Sequence, residues 1–346
     1  MKKLTESQAK WFEIRRRGEA KKIGRKRKSD DRERPGIFTP VHAPEVFSIR
    51  TQKERSKVVS FISKVRAACL DGCNVKIDFS HTKRLGSDAT VLLHAEIHRI
   101  VHCLDDIELR AIPPRNWMAA QAMKKIGLFR LTKTPLKFSK EANHKHVANW
   151  HSAYGEEVNG EKSEGLLSAY EGVIAEVLTG DLYTKITEAM INVHHHAYIE
   201  DRNDGLSYKD DRKPWWLFSQ ELDGYLTVAF CDLGIGIPRS LPIKKPKLWK
   251  KIATMGSAGS DSNAISEAIK DSQTRTGEEH RGKGLKQIVD TVRSFDTGIV
   301  KVHSNKGCYT SEMGRVIHSD FEESIMGTVI SWRIPLPAER SEEEFS

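Results

Sequence analysis

The sequence predicts an α/β fold arranged in two domains. Between residues 45 and 135, short strand-like segments alternate with helices that have apolar residues at helical spacing, and a similar mixture resumes from Leu166. A chain of 346 residues has room for two domains that each bury a core. The sequence has no run of about 18 apolar residues, so we expect no membrane-spanning segment.

The positive charge is concentrated at the N-terminus. Residues 1–36 contain 14 Lys or Arg and 6 Asp or Glu, a balance of +8 in a chain whose net charge is +9. The remaining residues are therefore close to neutral, at 9 − 8 = +1. We predict a basic flexible arm over residues 1–36, which is either solvated or in contact with nucleic-acid phosphates. Residues 338–346 predict an acidic tail.

The number and spacing of the cysteines indicate the cellular compartment. They are scattered, odd in number and without a C-x-x-C pair, a pattern that favours free thiols in a reducing cytoplasm over disulfides or a zinc site. The N-terminus is polar and lacks the apolar core of a signal peptide. We therefore expect a cytoplasmic protein.

Residues 37–135 predict the first α/β domain. Apolar spacing predicts helices over residues 56–70, 88–101 and 116–126, and alternation predicts strands over 74–79 and 107–112. Residues 136–165 are polar with little periodicity, which predicts a linker between the domains.

One stretch of this domain, from a strand through a turn into a helix, resembles a known domain family. Ile77-Asp-Phe-Ser80 leads through Gly86-Ser-Asp88 into an apolar helix, which resembles the STAS domain of anti-sigma-factor antagonists. In phosphorylated STAS proteins a D-S-S-G turn begins that helix, whereas here Gly86 falls where the phosphoacceptor serine would be. We therefore expect no phosphoacceptor, and we interpret the neighbouring Ser87 as a helix N-cap.

The first candidate site segment is a helix over residues 184–198. Glu188, Asn192 and His196 are spaced at i, i+4 and i+8, which lines them up along one face. An amide oxygen can complete the oxygen shell of a phosphate-bound Mg²⁺, and a carboxylate can orient or deprotonate an attacking group. The consecutive histidines 194–196 point in three directions on a helix, so we expect no metal site there.

The second segment is Asp232-Leu-Gly-Ile-Gly-Ile-Pro238, which directly follows a predicted strand over residues 225–231. A further strand is predicted over 215–219, joined to it through a hairpin. Asp232 at the strand end can accept hydrogen bonds from an adenine amino group. Gly234 and Gly236 allow close approach of the backbone, and Ile237 follows them.

The third segment opens a helix after a polar stretch. Residues 240–280 predict an irregular, mobile lid, and a helix N-terminus after it can bind phosphates through its backbone amides. The predicted phosphate contacts are Arg281, Gly282, Lys283, Gly284 and Leu285. A P-loop is excluded, because the G-x-x-x-x-G-K pattern ends in glycine and follows no apolar strand.

The fourth segment is Gly327-Thr328, at the start of a predicted strand over residues 327–336. A neighbouring strand is predicted over 299–303. In their order, the four segments resemble the nucleotide pocket of the GHKL family, which includes gyrase B, heat-shock-90 chaperones, MutL-type proteins and sensor histidine kinases. The motif style is closest to that of the anti-sigma-factor kinases.

This resemblance implies a Bergerat-type two-layer α/β sandwich over residues 166–337 that binds ATP and Mg²⁺. It implies that Asn192 is the Mg²⁺ ligand, Glu188 the general base and His196 part of the pocket wall. It also implies that the Thr328 hydroxyl borders the adenine next to Asp232.

Several functions fit this resemblance. We predict an ATP-binding regulatory protein that uses lid closure or slow ATP hydrolysis to control a protein partner. The alternatives are an anti-sigma-type Ser/Thr protein kinase and an ATP-dependent, nucleic-acid-associated scaffold that uses the basic arm. A sensor histidine kinase is less favoured, because no H-E-x-R-x-P-type helix precedes the ATP segments. Whether the protein forms a homodimer is left open.

Overall fold

The computed structural model describes residues 37–135, 150–158, 161, 176–222, 224–254, 259–274, 284–290 and 297–336. The expected basic arm, the expected acidic tail and the predicted phosphate contacts at 281–283 lie outside these residues. The described part combines helices and strands, so the α/β prediction is confirmed at that level. None of its helices is both long and apolar enough to cross a membrane.

Residues 37–135 form what we call the N-terminal unit, built on a three-stranded parallel sheet in the order β1-β3-β5. Its strands are β1 (Thr39–His42), β2 (Val46–Phe47), β3 (Val75–Asp78), β4 (Arg84–Leu85) and β5 (Leu109–Ile112). Its helices are α1 (Gln52–Leu70), α2 (Ser87–Cys103), α3 (Trp117–Lys125) and α4 (Leu128–Leu131). The predicted helices and strands of this part therefore occur, with shifted ends.

The start of α2 differs from the expectation. Gly86, not Ser87, is the N-cap residue, and its carbonyl accepts the first helical hydrogen bond from the Thr90 amide at 2.9 Å. The helix thus begins one residue earlier than an N-cap at Ser87 would place it. By contrast, α1 has the side-chain cap typical of helices, because Thr51 Oγ1 accepts from the Glu54 amide at 3.3 Å.

The second part of the described chain is built on a seven-stranded antiparallel sheet in the order β11-β10-β9-β12-β8-β7-β6. Its strands are β6 (Trp150–Gly155), β7 (Trp215–Leu222), β8 (Tyr225–Asp232), β9 (Ile299–Ser304), β10 (Gly307–Glu312), β11 (Arg315–Asp320) and β12 (Thr328–Pro335). Strand β6 lies in the segment expected to be a linker, where it pairs with β7.

The helices of this second part are α5 (Glu176–Asn192), α6 (Ile237–Lys244), α7 (Pro246–Thr254), α8 (Asp261–Thr274) and α9 (Gly284–Asp290). The prediction of an irregular stretch over residues 240–280 is therefore wrong for its described residues, which are mostly helical. These helices bury few but well-spaced apolar residues, such as Ile265 and Ile269 on α8.

Strands β7, β8 and β12 of the large sheet are covered on both faces. Along β7, Trp215 and Leu217 belong to the core beneath α5, whereas Trp216 and Phe218 belong to the core shared with the N-terminal unit. Helix α2 packs on β7, β8 and β12 from that second side. Because strand side chains alternate between faces, these consecutive apolar residues bury both. This part of the large sheet is thus sandwiched between its own helices and the N-terminal unit.

Candidate functional site

A cavity of about 690 Å³ opens between α5, the end of β8, α6 and the start of β12. Its volume lies within the range of sites that hold a cofactor or small ligand. Residues from all four predicted segments line it. They are Glu188, Asn192, His196, Asp232, Gly236, Ile237, Leu285 and Thr328. Segments far apart in sequence therefore meet around one cavity.

Asp232 is a buried carboxylate in the wall of this cavity, with 6% of its surface exposed. Its Oδ1 accepts from the Gly234 amide at 3.0 Å. Burial raises the pKa of Asp232 to about 6, against the lowering effects of Gly234, Thr328 and Arg202. A carboxylate has about four acceptor positions. Asp232 is therefore charged at neutral pH and retains acceptor capacity for a donor inside the cavity.

Thr328 lies directly opposite Asp232 in the pairing of β12 with β8. Its Oγ1 is 3.1 Å from Ser304 Oγ, and that hydroxyl accepts from the Ile237 amide at 2.8 Å. These hydroxyls connect β12, β9 and the first residue of α6. The contacts hold Thr328 beside the carboxylate, where a single ligand group can reach both.

A π-helical turn (Val193–Ala197) follows α5 and is fixed to the segment after β8. The Ala197 carbonyl accepts from the Ile235 amide at 2.8 Å. The Tyr198 hydroxyl accepts from the Leu233 amide at 3.0 Å and donates to the Pro214 carbonyl at 2.7 Å. The helix that carries Glu188 and Asn192 is thereby tied to the strand end that carries Asp232.

Gly234 and Gly236 are required for different reasons. A Cβ on Gly234 would lie 2.3 Å from the Ala197 carbonyl oxygen, so only glycine permits the approach of the π-helical turn. Gly236 has a φ of 79°, in the left-handed region that favours glycine. Beyond it, Asn305 Nδ2 donates to the Ile235 carbonyl at 2.9 Å, which closes the turn.

Glu188 and Asn192 are half-buried, one helical turn apart, and both line the cavity. Four residues of helix separate their Cα atoms by about 6 Å along the axis. The Asn192 Nδ2 atom is buried and has no hydrogen-bond partner among the described residues. A buried amide without a partner is uncommon, and either end of a carboxamide can face a ligand. Asn192 thus has unused hydrogen-bonding capacity at the cavity wall.

Basic residues border the same cavity. Burial, together with the charges of His195, Lys244 and Lys245, lowers the pKa of His196 to about 4, so its imidazole is neutral at pH 7. Lys245 Nζ pairs with Asp271 Oδ2 at 2.7 Å, whereas Lys244 is exposed at the rim. The rim therefore carries positive charge suited to an anionic group.

A metal ion in this cavity would need ligand atoms from a bound phosphate group as well as from the protein. In the described part of the chain, no group of three or more His, Cys, Asp and Glu side chains could hold a metal ion. Mg²⁺ accepts few protein ligands and is commonly held by a carboxylate or amide oxygen together with phosphates and water. The carboxamide oxygen of Asn192, at the cavity wall, fits this role.

The structure places most of the predicted residues in one site. Gly234 stands behind the wall, against Ala197, and Gly284 begins α9. Arg281, Gly282 and Lys283 lie outside the described residues. The prediction missed the wall formed by α6 and α8, which contributes Ser240, Leu241, Lys244, Lys245 and Ala268. Pro238 at a helix start and the apolar pair Ile237 and Leu241 could have indicated α6.

Comparison with models of known protein families gives no match, and no curated protein is significantly similar to the chain in sequence. The function is therefore inferred from the residues that surround the cavity and from the chemistry they allow.

Proposed function

We propose that the chain is a regulatory protein that binds Mg-ATP in this cavity and uses closure over the nucleotide or slow ATP hydrolysis to control a protein partner. The observation that carries the proposal is a buried carboxylate with acceptor capacity, Asp232, in the same cavity as Asn192, whose buried Nδ2 has no hydrogen-bond partner among the described residues. The carboxylate suits an adenine amino group, and the carboxamide oxygen of Asn192 suits a phosphate-bound cation.

We also propose that residues 166–337 form a GHKL-type domain and that residues 37–135 are STAS-like. Helices over one face of an antiparallel sheet support the first assignment. Parallel strands alternating with helices support the second. The shared cavity supports the GHKL assignment further, because the residues selected from the sequence come from separate segments.

In this proposal the adenine lies against Asp232 and Thr328. The carboxylate accepts from the exocyclic amino group, and guanine would present a carbonyl oxygen at that place. A hydrogen bond to a charged acceptor contributes about 1.5–3 kcal/mol, so the pair selects adenine. Ile237, Leu285 and Ile330 supply apolar contact for the base.

The phosphates lie along α5 in this proposal. The bound Mg²⁺ would supply charge neutralisation of the phosphate oxygens, with Asn192 as its protein ligand. Glu188, one turn earlier, orients or deprotonates the group that attacks the terminal phosphate. Lys244 at the rim adds positive charge. His196 is neutral and forms part of the cavity wall without changing that charge.

Replacing Asn192 with Ala tests the metal role. We expect Mg²⁺ to strengthen ATP binding in the wild type, and we expect the substitution to reduce that gain about tenfold, because one ligand of a charged centre is lost. Titration calorimetry with and without Mg²⁺ measures the difference. Asn263→Ala on α8 is the matched control and should behave as the wild type. An unchanged Mg²⁺ dependence in Asn192→Ala would overturn this role.

Replacing Glu188 with Gln tests the chemical role. We expect ATP affinity to stay within about twofold while phosphate release or transfer falls about 100-fold, the scale of a lost general base. Incubation with γ-labelled ATP, with and without DNA, measures free phosphate and labelled protein separately. If the wild type converts ATP and Glu188→Gln converts it at the same rate, Glu188 is not the base.

The same assay separates the candidate activities. Free labelled phosphate favours a slow ATPase, whereas label on a protein favours a Ser/Thr kinase. Binding without either product favours a switch that acts by closure over the nucleotide, or a scaffold. In that last case, deleting residues 1–36 should weaken any DNA binding and reduce its salt dependence.

A further inference from the structure

Two segments of the chain line the candidate site at one end and hold the N-terminal unit at the other. Segment 196–206 begins at His196 in the cavity wall and reaches α2 through Arg202 and Asp204. Segment 323–328 begins at Glu323, bound to α1, and ends at Thr328 in the cavity wall. The site and the N-terminal unit thus share continuous stretches of backbone.

The far end of segment 196–206 enters a buried ionic network. Arg202 Nη2 donates to Glu96 Oε1 of α2 and, at 3.4 Å, to the Ile325 carbonyl. Arg99 Nη2 donates to Asp204 Oδ1 at 3.0 Å. The Glu96, Arg99, Arg202 and Asp204 side chains are at most 4% exposed. Buried ions depend on partners of opposite charge, so this end of the segment is fixed to α2.

Arg66 joins the network from α1. Its Nη1 lies 3.4 Å from Glu96 Oε2 and 3.3 Å from Asp204 Oδ2. It also reaches segment 323–328, because Nη2 contacts Met326 Sδ at 3.7 Å. One arginine of the N-terminal unit therefore contacts both segments.

Segment 323–328 is held at its start by hydrogen bonds from α1. Gln52 Nε2 donates to Glu323 Oε2 at 2.7 Å, and Ser56 Oγ donates to Glu323 Oε1 at 2.6 Å. Near its end, a Cβ on Gly327 would lie 2.4 Å from the Asp232 carbonyl oxygen. The segment therefore has little room to shift without moving Asp232 or Thr328.

We propose that the N-terminal unit positions the nucleotide site: Glu96 and Arg202 hold one segment, Glu323 holds the other, and nucleotide binding and docking of the N-terminal unit stabilise each other. This inference rests on the proposed function, because it assigns positioning residues to the same cavity. None of the three needs to touch the nucleotide. Each acts through His196, Asp232 or Thr328.

The charge of Arg202 supports the expectation that docking of the N-terminal unit strengthens nucleotide binding. Burial raises the pKa of Asp232, and Arg202 is one of the groups that oppose the rise. When Arg202 is held by Glu96, its charge favours the ionised carboxylate that accepts from an amino group. Undocking the N-terminal unit would release Arg202 from Glu96. The ionised form of Asp232 would then lose the favourable charge of Arg202, and its carboxylate would be held less firmly in place.

Replacing Glu96 with Gln in the full chain tests the proposal. We expect the dissociation constant of Mg-ATP to rise about tenfold, within the range of measured coupling between sites. The matched control is Ile77→Val, which alters the packing of the small sheet in the N-terminal unit and should bind Mg-ATP as the wild type does. Glu323→Ala is a milder second variant if Glu96→Gln does not fold, and we expect about threefold weaker binding.

Hydrogen exchange supplies a readout that a purely structural role would not move. Because coupling is reciprocal, Mg-ATP should slow amide exchange in α2 and in segment 323–328 of the wild type. It should leave exchange unchanged in Asp232→Asn, whose nucleotide binding is expected to be impaired.

The outcomes separate the two proposals. If the wild type binds no nucleotide, the proposed function falls and this inference falls with it. If the wild type binds Mg-ATP, but the folded variants bind it equally well and Mg-ATP leaves exchange in α2 unchanged, the inference alone is overturned.

Discussion

Asp232→Asn is expected to make the protein more stable at pH 7.5 while it weakens ATP binding about 100-fold. Burial raises the pKa of Asp232 from 3.8 to about 6, so the folded state holds its proton more tightly than the unfolded state. Keeping the carboxylate charged at neutral pH therefore costs about 3 kcal/mol. Asparagine has the same shape and removes this cost, but it forfeits the charged acceptor for the adenine amino group, which contributes about 1.5–3 kcal/mol.

The difference in stability between the wild type and Asp232→Asn should depend on pH. The folded-state pKa is the higher one, so the stability of the wild type should fall as pH rises from about 4 to 6, as far as Asp232 is concerned. The stability advantage of Asp232→Asn should therefore shrink when both proteins are unfolded thermally at pH 5 instead of 7.5. Asp210→Asn, at an exposed residue, is the control and should retain ATP affinity. A variant that is less stable at pH 7.5, or that binds ATP as tightly as the wild type, would contradict the assignment of Asp232.

Much of the candidate site could be predicted because it depends on local pattern. The apolar face of α5 at helical spacing fixes where Glu188 and Asn192 point, and the strand before Asp232 fixes the end from which its carboxylate projects. Thr328 follows from the start of the last strand. These are relations within a few residues, which periodicity and turn chemistry specify.

The region after Pro238 could not be predicted in the same way. Helices α6 and α8 bury faces made partly of small or polar residues, such as Ser240, Ser262, Ala264 and Ala268. The helical period is present, but its contrast in hydrophobicity is low, so the segment resembles an irregular loop. Packing against neighbouring helices, rather than local propensity, stabilises such a helix.

The packing of the N-terminal unit on the second face of the sheet was not predicted, for a different reason. Trp215-Trp-Leu-Phe218 is apolar at four consecutive positions, which is typical of a strand buried on both faces. The sequence does not say what covers the second face, because the contacts are remote. Arg202 and Glu96 are 106 residues apart in the chain, and isolated charges in a sequence are ordinarily interpreted as exposed.

Gly234→Ala is expected to abolish measurable ATP binding and to destabilise the fold. The added Cβ would lie 2.3 Å from the Ala197 carbonyl oxygen and 2.5 Å from its carbon, which are backbone atoms that no rotamer change can move aside. The π-helical turn would have to withdraw from β8, which breaks the hydrogen bond from the Ile235 amide to Ala197. Overpacking of this kind typically costs about 1–3 kcal/mol.

The loss of binding should exceed what the loss of stability explains, because the turn that withdraws carries His196 and continues α5. Denaturant unfolding and ATP titration of the same samples measure the two effects. Gly259→Ala is the matched control, since a Cβ there meets nothing within 4 Å and the residue is exposed. It should leave both quantities unchanged. If Gly234→Ala lowers stability but binds ATP like the control, the separation between α5 and the end of β8 does not set the nucleotide site.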